Sequence, residues 1–261
     1  MMKEIDKYAY ISSLRPLDPT QKVLLTFLVL ITCLCSSSIV MFCFVIALMG
    51  WITIYKGHTA MSLYLKLMAI PLTFLILSIL TLLFEFSSDA SVYLVSLPIG
   101  NFYVGITSSS LQTVCILFFK VFASVSCLYF LCLSTPMTDI LRVFEKFKCP
   151  AFLIEMMSLI YRFIFVLIDT AFTMHTAQAS RLGYKSFRLG IKSLGMLLST
   201  ILIRTLKMNN NLYTALECRG YTGSLKVLNE DAYKKINYLY FVILEVILLG
   251  LIVLENFLLW R

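Results

Sequence analysis

The chain has 261 residues, of which 60% are hydrophobic and only 14% are charged. Soluble domains are about 45–50% apolar, so this composition excludes a soluble globular protein and indicates an integral membrane protein. The net charge of +8 does not point to a nucleic-acid partner. The predicted spans leave every lysine and arginine except Lys120 and Arg261 on one side, which the positive-inside rule identifies as cytoplasmic.

The N-terminal region combines a charged segment with the start of a helix. Residues 1–20 lack the apolar core and cleavage site of a secretory signal, so we expect them to form a cytoplasmic N-terminal segment. Asp18 and Pro19 suit the N-cap and the first position of a helix. The apolar stretch that follows, as far as Tyr55, is too long for one span and is interrupted at Ser36–Ser38. This pattern predicts a hairpin of two short membrane helices.

Three further membrane spans are predicted, over residues 67–84, 106–133 and 237–260. The first of these contains Pro71, a residue type that kinks helices. The segment 85–103 has no lysine or arginine and is expected to lie outside. The prediction is an all-α integral membrane protein with about five transmembrane helices, of which residues 21–133 hold helices 1–4 and residues 237–261 hold the last.

Residues 134–236 are predicted to form a cytoplasmic or interfacial coupling domain, because basic residues alternate there with apolar ones at helical spacing. Pro136 opens a first amphipathic helix and Pro150 ends it, with four apolar residues facing inward: Ile140, Leu141, Phe144 and Phe147. Later helices are predicted over residues 151–181, 185–207 and 212–219, with a break at Asn209–Asn211.

The long helix over residues 151–181 is apolar enough to be mistaken for a span. Glu155, Arg162 and Asp169 recur on it at intervals of seven residues and therefore share one face. Three ionisable groups on one face argue for packing at the membrane interface or against protein, not for a helix surrounded by lipid.

Recognisable catalytic chemistry is missing from the sequence. It contains no GxxxxGK[ST] phosphate loop, no HExxH and no GxSxG motif. The eight cysteines form no CxxC pair, and the two histidines lie in different segments. We expect no catalytic residue, no metal ligand and no cofactor bound by this chain. Lys120, Glu245 and Glu85 leave two interpretations open, a conduction path or ionic groups that fix helix packing, and the second is favoured.

Two stretches, residues 177–184 and 215–221, are imperfect copies of one another. In each, small residues precede an arginine, Arg181 or Arg219, and a glycine and a tyrosine follow it. This pattern predicts a slim helix end that carries a cation and is stopped by a glycine able to adopt positive φ. Such an end is suited to entering a groove, and two of them predict a partner with two similar acidic grooves.

These residues resemble a known family, the transmembrane T component of energy-coupling-factor (ECF) transporters. That family carries two Ala-x-x-Ala-Arg-Gly-like motifs at the ends of cytoplasmic coupling helices. The resemblance covers nearly the whole chain and includes residues 5–9, residues 17–24, Thr135-Pro136 and the stretch 161–164. The opening and the ending over residues 217–223 are most similar to the cobalt-type member.

The resemblance implies a scaffold that docks into two ATPase subunits and also contacts a separate metal-capture membrane subunit. ATP and Mg would be used by the ATPases and not by this chain. The implied docking residues are Ala177, Ser180, Arg181, Gly183, Ala215, Cys218, Arg219 and Gly220. Two departures weaken the match: Ser180 and Cys218 replace the usual alanines, and Leu182 separates Arg181 from Gly183.

We therefore predict a non-catalytic subunit of a cobalt importer in a bacterial or archaeal cell membrane, multi-pass and with its N-terminus in the cytoplasm. A T component for nickel or a vitamin is the first alternative. A self-sufficient metal permease using Lys120 and Glu245 is a second. An intramembrane enzyme using Glu85, His175 or Asp169 is disfavoured, because those residues fall in different segments.

Overall fold

A computed structural model describes residues 2–83, 85–87, 93–99, 102–221, 233–234 and 242–251. The helices in these ranges are α1 (Met2–Ile11), α2 (Pro19–Cys35), α3 (Ile39–Trp51), α4 (Met61–Leu83), α5 (Ser108–Ser134), α6 (Met137–Lys146), α7 (Ala151–Ser180), α8 (Phe187–Glu217) and α9 (Val242–Leu251). A π-helical turn, Ile52–Lys56, extends α3. The chain divides into two compact units, Met1–Pro136 with Asp231–Arg261, and Met137–Glu230.

The chain is a helical integral membrane protein, as predicted, with one small sheet between α4 and α5. Within the described ranges, five helical stretches are long and apolar enough to cross a membrane: Ile39–Lys56, α4, α5, α7 and α8. This set differs from the predicted spans, because α7 and α8 qualify by length and composition whereas α2, with 17 residues, is shorter. The last predicted span is described only over Val242–Leu251.

The predicted helical hairpin is confirmed at α2 and α3. Asp18 is the N-cap of α2, and its carboxylate accepts a hydrogen bond from the Thr20 amide at 3.0 Å. Ser38 is the N-cap of α3, and its hydroxyl accepts from the Met41 amide at 3.2 Å. The three serines therefore form the turn, since short polar side chains satisfy helix-end amides that apolar residues cannot.

Two apolar clusters lie in the unit that contains these helices. The larger is formed by residues of α2, α3, α5 and α9, including Val29, Cys33, Met41, Phe42, Val45, Met49, Ala123, Cys127, Phe130 and Leu248. The smaller joins α4 to α5 through Tyr64, Leu67, Met68 and Leu133. The Tyr64 and Ser126 hydroxyls share a hydrogen bond of 2.8 Å across that second contact, so a polar pair fixes the facing positions of the two helices.

The segment predicted as an external loop contains a small antiparallel sheet. Its strands are β1 (Glu85–Ser87), β2 (Tyr93–Ile99) and β3 (Phe102–Thr107), in the order β1-β3-β2. Glu85 pairs with Gly105 and Pro98 pairs with Tyr103. Pro98 lies on an edge strand, where a missing amide donor is tolerated.

The second unit contains α6, α7 and α8, and it corrects two predictions. The Asn209–Asn211 triplet does not break the helix, because α8 runs without interruption to Glu217. Asparagine is a weak helix former and not a helix breaker, with a cost of roughly 0.5 kcal/mol per residue. A half-buried stripe through Met208, Leu212 and Leu216 continues the packed face past the triplet.

The inward face predicted for α6 is wrong at its C-terminal end. Leu141 is buried as expected, but Phe144 and Phe147 are 41% and 64% exposed. The helix ends at Lys146, and the backbone then turns through Lys148, which has a φ of 58°. The last turn therefore protrudes from the packed part of the helix, and the periodic pattern does not reveal where packing stops.

Candidate partner-docking site

The first motif copy ends α7 in a Schellman turn. The Gly183 amide donates to the Gln178 carbonyl at 2.9 Å, and the Leu182 amide donates to the Ala179 carbonyl at 3.0 Å. This pair of bonds defines the motif, in which the residue after the C-cap adopts positive φ. That residue is Leu182, with a φ of 59°. Gly183 was predicted to end the helix by adopting positive φ, and this prediction is wrong because Leu182 does so.

The second copy ends α8 with the same turn. The Tyr221 amide donates to the Leu216 carbonyl at 3.0 Å, and the Gly220 amide donates to the Glu217 carbonyl at 3.0 Å. Here the residue with positive φ is Gly220, at 75°. The predicted role of this glycine in ending the helix is confirmed.

The two turns place their arginines at the same position. Arg181 and Arg219 each directly precede the residue with positive φ, and each lies at the C-cap of its turn. Leu182 is therefore not an insertion in the first copy but the structural counterpart of Gly220. A cation at this place is stabilised by the partial negative charge of the helix C-terminus.

Gly183 is required by a close approach, since a Cβ on it would lie 2.8 Å from Ser193 Oγ and 2.9 Å from the Gln178 carbonyl oxygen. Those distances are too short for a side chain unless the backbone moves. Gly220 has open space around it and is required by its φ instead. The two glycines of the motif are thus explained by different physical constraints.

The predicted docking residues are accessible in both copies. Arg181 and Arg219 are exposed, as are the small residues before them, Ala177, Ser180, Ala215 and Cys218. The Ser180 hydroxyl donates to the Thr176 carbonyl of its own helix at 3.0 Å, so this polar substitute does not project a free donor. Within the described part of the chain, neither arginine has an ion-pair partner.

The two arginine turns lie at opposite ends of α8. This helix has 31 residues and therefore rises about 46 Å. The first turn precedes α8 and the second follows it, so the structure does not bring the two sets of docking residues together. A partner that engages both turns must present two separate recesses.

The first turn is held against α8 by a local hydrogen-bond network. The Ser193 hydroxyl donates to the Gly183 carbonyl at 2.8 Å, and the Ser193 carbonyl accepts from Gln178 Nε2 at 3.1 Å. The Tyr184 hydroxyl donates to Gln178 Oε1 at 2.8 Å. The ring of His175 lies 4.6 Å from that of Tyr184, so this histidine packs in the turn. Both polar atoms of the Gln178 side chain therefore have hydrogen-bond partners, Ser193 and Tyr184, and Gln178 fixes the turn.

The second turn is joined to α7 by a side-chain hydrogen bond. The Tyr221 hydroxyl donates to Glu155 Oε2 at 2.7 Å across 66 positions of sequence. Glu155 is only 9% exposed, so its carboxylate is largely withdrawn from water. This hydrogen bond raises the pKa of Tyr221 above its ordinary value, because the carboxylate disfavours a second negative charge nearby. Arg162, on the same predicted stripe as Glu155, has no ion-pair partner among the described residues.

In the first compact unit, here called the membrane unit, two ionisable residues, Lys120 and Glu245, bond to neutral groups. Lys120 Nζ donates to the Leu34 and Ser36 carbonyls at the end of α2, and Glu245 accepts from the Thr32 hydroxyl. Lys120 therefore acts as a C-cap donor to the helical hairpin. In the ranges that the structure describes, no group of three or more His, Cys, Asp or Glu could hold a metal ion. The side chain of Glu85 lies outside the described residues.

The fold and this site define a multi-pass helical membrane protein whose distinctive features are two exposed helix ends. The family model of the cobalt transport protein CbiQ matches residues 11–228. The chain belongs to the CbiQ family of cobalt transport membrane proteins.

Three proteins are similar to this chain over much of its length. An uncharacterized protein of Methanocaldococcus jannaschii is 29% identical over 238 residues, which cover 91% of this chain and 88% of that protein. The cobalt transport protein CbiQ of Salmonella typhimurium is 30% identical over 156 residues, covering 60% and 69%. A protein of Methanocorpusculum labreanum, provisionally named as the fused cobalt transport protein CbiMQ, is 28% identical over 229 residues, covering 88% of this chain and 38% of the fused protein.

Sequence reasoning missed several residues that position the arginines. Gln178 and Ser193 lie 15 positions apart, and nothing in their spacing signals a contact. Tyr221 belongs to the repeat and Glu155 to a charged stripe, but their bond joins the turn after α8 to α7. The one available signal was that a largely apolar helix carries a carboxylate, which needs a partner when buried.

Proposed function

We propose that this chain is the T component of an ECF-type importer for Co²⁺. In this role it is a non-catalytic scaffold that docks into two separate ATPase subunits and contacts a separate metal-capture membrane subunit. The observation that carries the proposal is the pair of matching helix ends. Each presents an exposed arginine at the same position of the same turn.

The composition of these ends supports insertion into a groove. Ala177 and Ala215 lie one turn before the arginines, and Ser180 and Cys218 lie directly before them. Small side chains at these places let the helix backbone approach a partner closely. A guanidinium then forms charge-assisted and bidentate hydrogen bonds with a carboxylate in the groove.

Membership of the family supports cobalt as the transported ion, and the fused relative supports a separate capture protein as the partner. The relatives named for cobalt transport favour Co²⁺ over nickel or a vitamin. The relative named as the fused protein CbiMQ joins a chain of this type to a further cobalt transport segment. We infer that capture of the ion belongs to that second protein, and that ATP and Mg are used by the ATPases. ATP-driven movement of the ATPase dimer would then be passed on by α7 and α8 as stiff levers.

Co-purification tests the docking directly. We would express the chain with its ATPase subunits and compare Arg181→Glu, Arg219→Glu and the double variant with the unaltered protein. Arg204→Glu is the matched control, because it makes the same charge change on α8 at an exposed site within the helix. The double variant should lose the ATPases while Arg204→Glu retains them. Full retention of the ATPases by the double variant contradicts the proposal.

A further inference from the structure

We propose that Tyr221 and Glu155 are positioning residues that latch the Arg219 turn to α7, so that a displacement of this turn is passed to α7. The inference rests on the proposed function, in which the Arg219 turn docks into an ATPase. It concerns the step after docking, in which a displacement of the Arg219 turn is transmitted to α7. The α7 and α8 pair is joined differently at its two ends.

One end of this helix pair is closed by the chain itself. Residues 181–186 join α7 to α8, and Ser193 bonds to both Gly183 and Gln178 there. These bonds bridge at most 15 sequence positions and complete a compact connection. The Arg181 turn therefore cannot move without the first turns of α8.

At the opposite end, the C-terminus of α8 meets the N-terminal part of α7 through Tyr221 and Glu155. Their bond is 2.7 Å long and bridges 66 positions. Tyr221 is two residues from Arg219 and its amide is part of the Schellman turn itself. The latch therefore begins inside the docking turn and ends on a different helix.

The length of α8 makes the bond between Tyr221 and Glu155 important for transmitting movement. Because α8 rises about 46 Å, a rotation of about 10° around the closed end would move its far end by about 8 Å. Without the bond, a push on Arg219 could swing α8 away from α7 instead of moving both helices. Glu155 is a charged acceptor on a residue that is only 9% exposed, so little water competes with the Tyr221 hydroxyl for it.

Tyr221→Phe removes the latch and leaves Arg219 in place. Tyr213→Phe is the matched control, because it removes the same hydroxyl from an exposed tyrosine within α8, 57% of which is accessible to solvent. We would assemble each variant with its ATPases and capture subunit, and measure ATPase co-purification and Co²⁺ taken up per ATP hydrolysed. Tyr221→Phe should co-purify normally but lower uptake per ATP at least threefold. Tyr213→Phe should leave both quantities unchanged.

A distance measurement gives a second readout that does not depend on docking. Noncanonical residues that carry spin labels would replace Phe152 on α7 and Asn211 on α8, and the distance between the two labels would be measured in the chain alone. Tyr221→Phe should broaden the distribution of this distance, while Tyr213→Phe should not. Glu155→Gln, which keeps a carbonyl acceptor, should give an intermediate distribution and intermediate uptake per ATP.

The latch is overturned if Tyr221→Phe leaves the uptake per ATP unchanged, or if it leaves the distance distribution unchanged. If Tyr221→Phe itself lost the ATPases, the bond would serve docking and not transmission, which also overturns it. Failure of the proposed function gives a different result. In that case the double variant, Arg181→Glu with Arg219→Glu, would keep the ATPases. The distances between the spin labels would still show whether the latch exists.

Discussion

Leu182 and Gly220 occupy the same position of two matching turns, each directly after an arginine and with φ of 59° and 75°. An L-residue in this region costs about 1–2 kcal/mol, whereas glycine adopts it freely. The Leu182 side chain is 65% exposed, so little burial offsets that cost. The Arg181 turn therefore contains strain that the Arg219 turn lacks.

Leu182→Gly should relieve this strain. We expect it to raise the free energy of unfolding by about 1 kcal/mol, measured by denaturant or thermal unfolding in detergent. Leu182→Ala is the control, since alanine keeps the Cβ that causes the strain and should give little gain. A destabilised Leu182→Gly protein would mean that the leucine side chain supports the turn.

Substitution of the glycines tests whether both motif positions require this residue type. Gly183→Ala places a methyl group against Ser193 and the Gln178 carbonyl, and Gly220→Ala places a Cβ on a residue with positive φ. Each should destabilise the protein by about 1–3 kcal/mol in the same unfolding assay. Gly195 lies within α8 with open space around it, so Gly195→Ala should be neutral or stabilising by up to ~1 kcal/mol. If all three variants changed the free energy of unfolding by the same amount, glycine would not be specifically required at positions 183 and 220.

Lys120 should contribute to the stability of the membrane unit as the donor to the end of α2. Lys120→Met keeps the length of the side chain but leaves the Leu34 and Ser36 carbonyls without this donor. We expect a loss of about 1–3 kcal/mol in unfolding. Lys66→Met, at an exposed position of α4, is the control and should change stability little. Equal effects would argue against a specific capping role.

The Tyr221 bond predicts a pH dependence. The hydrogen bond to Glu155 raises the pKa of Tyr221, so the neutral phenol is favoured in the folded protein. The stabilisation is complete below the ordinary tyrosine pKa of about 10 and is lost as the pH rises through the raised value. Carbon-13 labelling of tyrosine side chains, with Tyr221→Phe to assign the signal, measures this titration by NMR. In the Glu155→Gln protein, the pKa of Tyr221 should fall back toward its ordinary value.

Features governed by local chemistry were predictable from the sequence. Asp18 and Ser38 cap their helices as the residue types suggested, and the hairpin turns where the serines interrupt the apolar run. The positions of both arginines at helix ends follow equally from the repeated pattern. These inferences depend on a few adjacent residues, for which propensity and capping are decisive.

Features that depend on tertiary contacts were not predictable. The Asn209–Asn211 triplet remained helical because packing of Leu212 and Leu216 outweighed a weak local preference. Leu182 adopts a conformation normally left to glycine, whereas the glycine that follows it, Gly183, lies where Ser193 approaches the backbone. The bond between Tyr221 and Glu155 joins residues whose separation in sequence conceals their proximity. In each case a distant contact determined the outcome.

The most direct test of the central claim is ATP-driven uptake of radioactive Co²⁺ into vesicles. We would compare the complete assembly carrying Arg181→Glu with Arg219→Glu, the same assembly carrying Arg204→Glu, and this chain alone. The account predicts uptake by the unaltered and Arg204→Glu assemblies, and none by the double variant or by the chain alone. Uptake at the unaltered rate by the double variant, or by the chain without its partners, would contradict it.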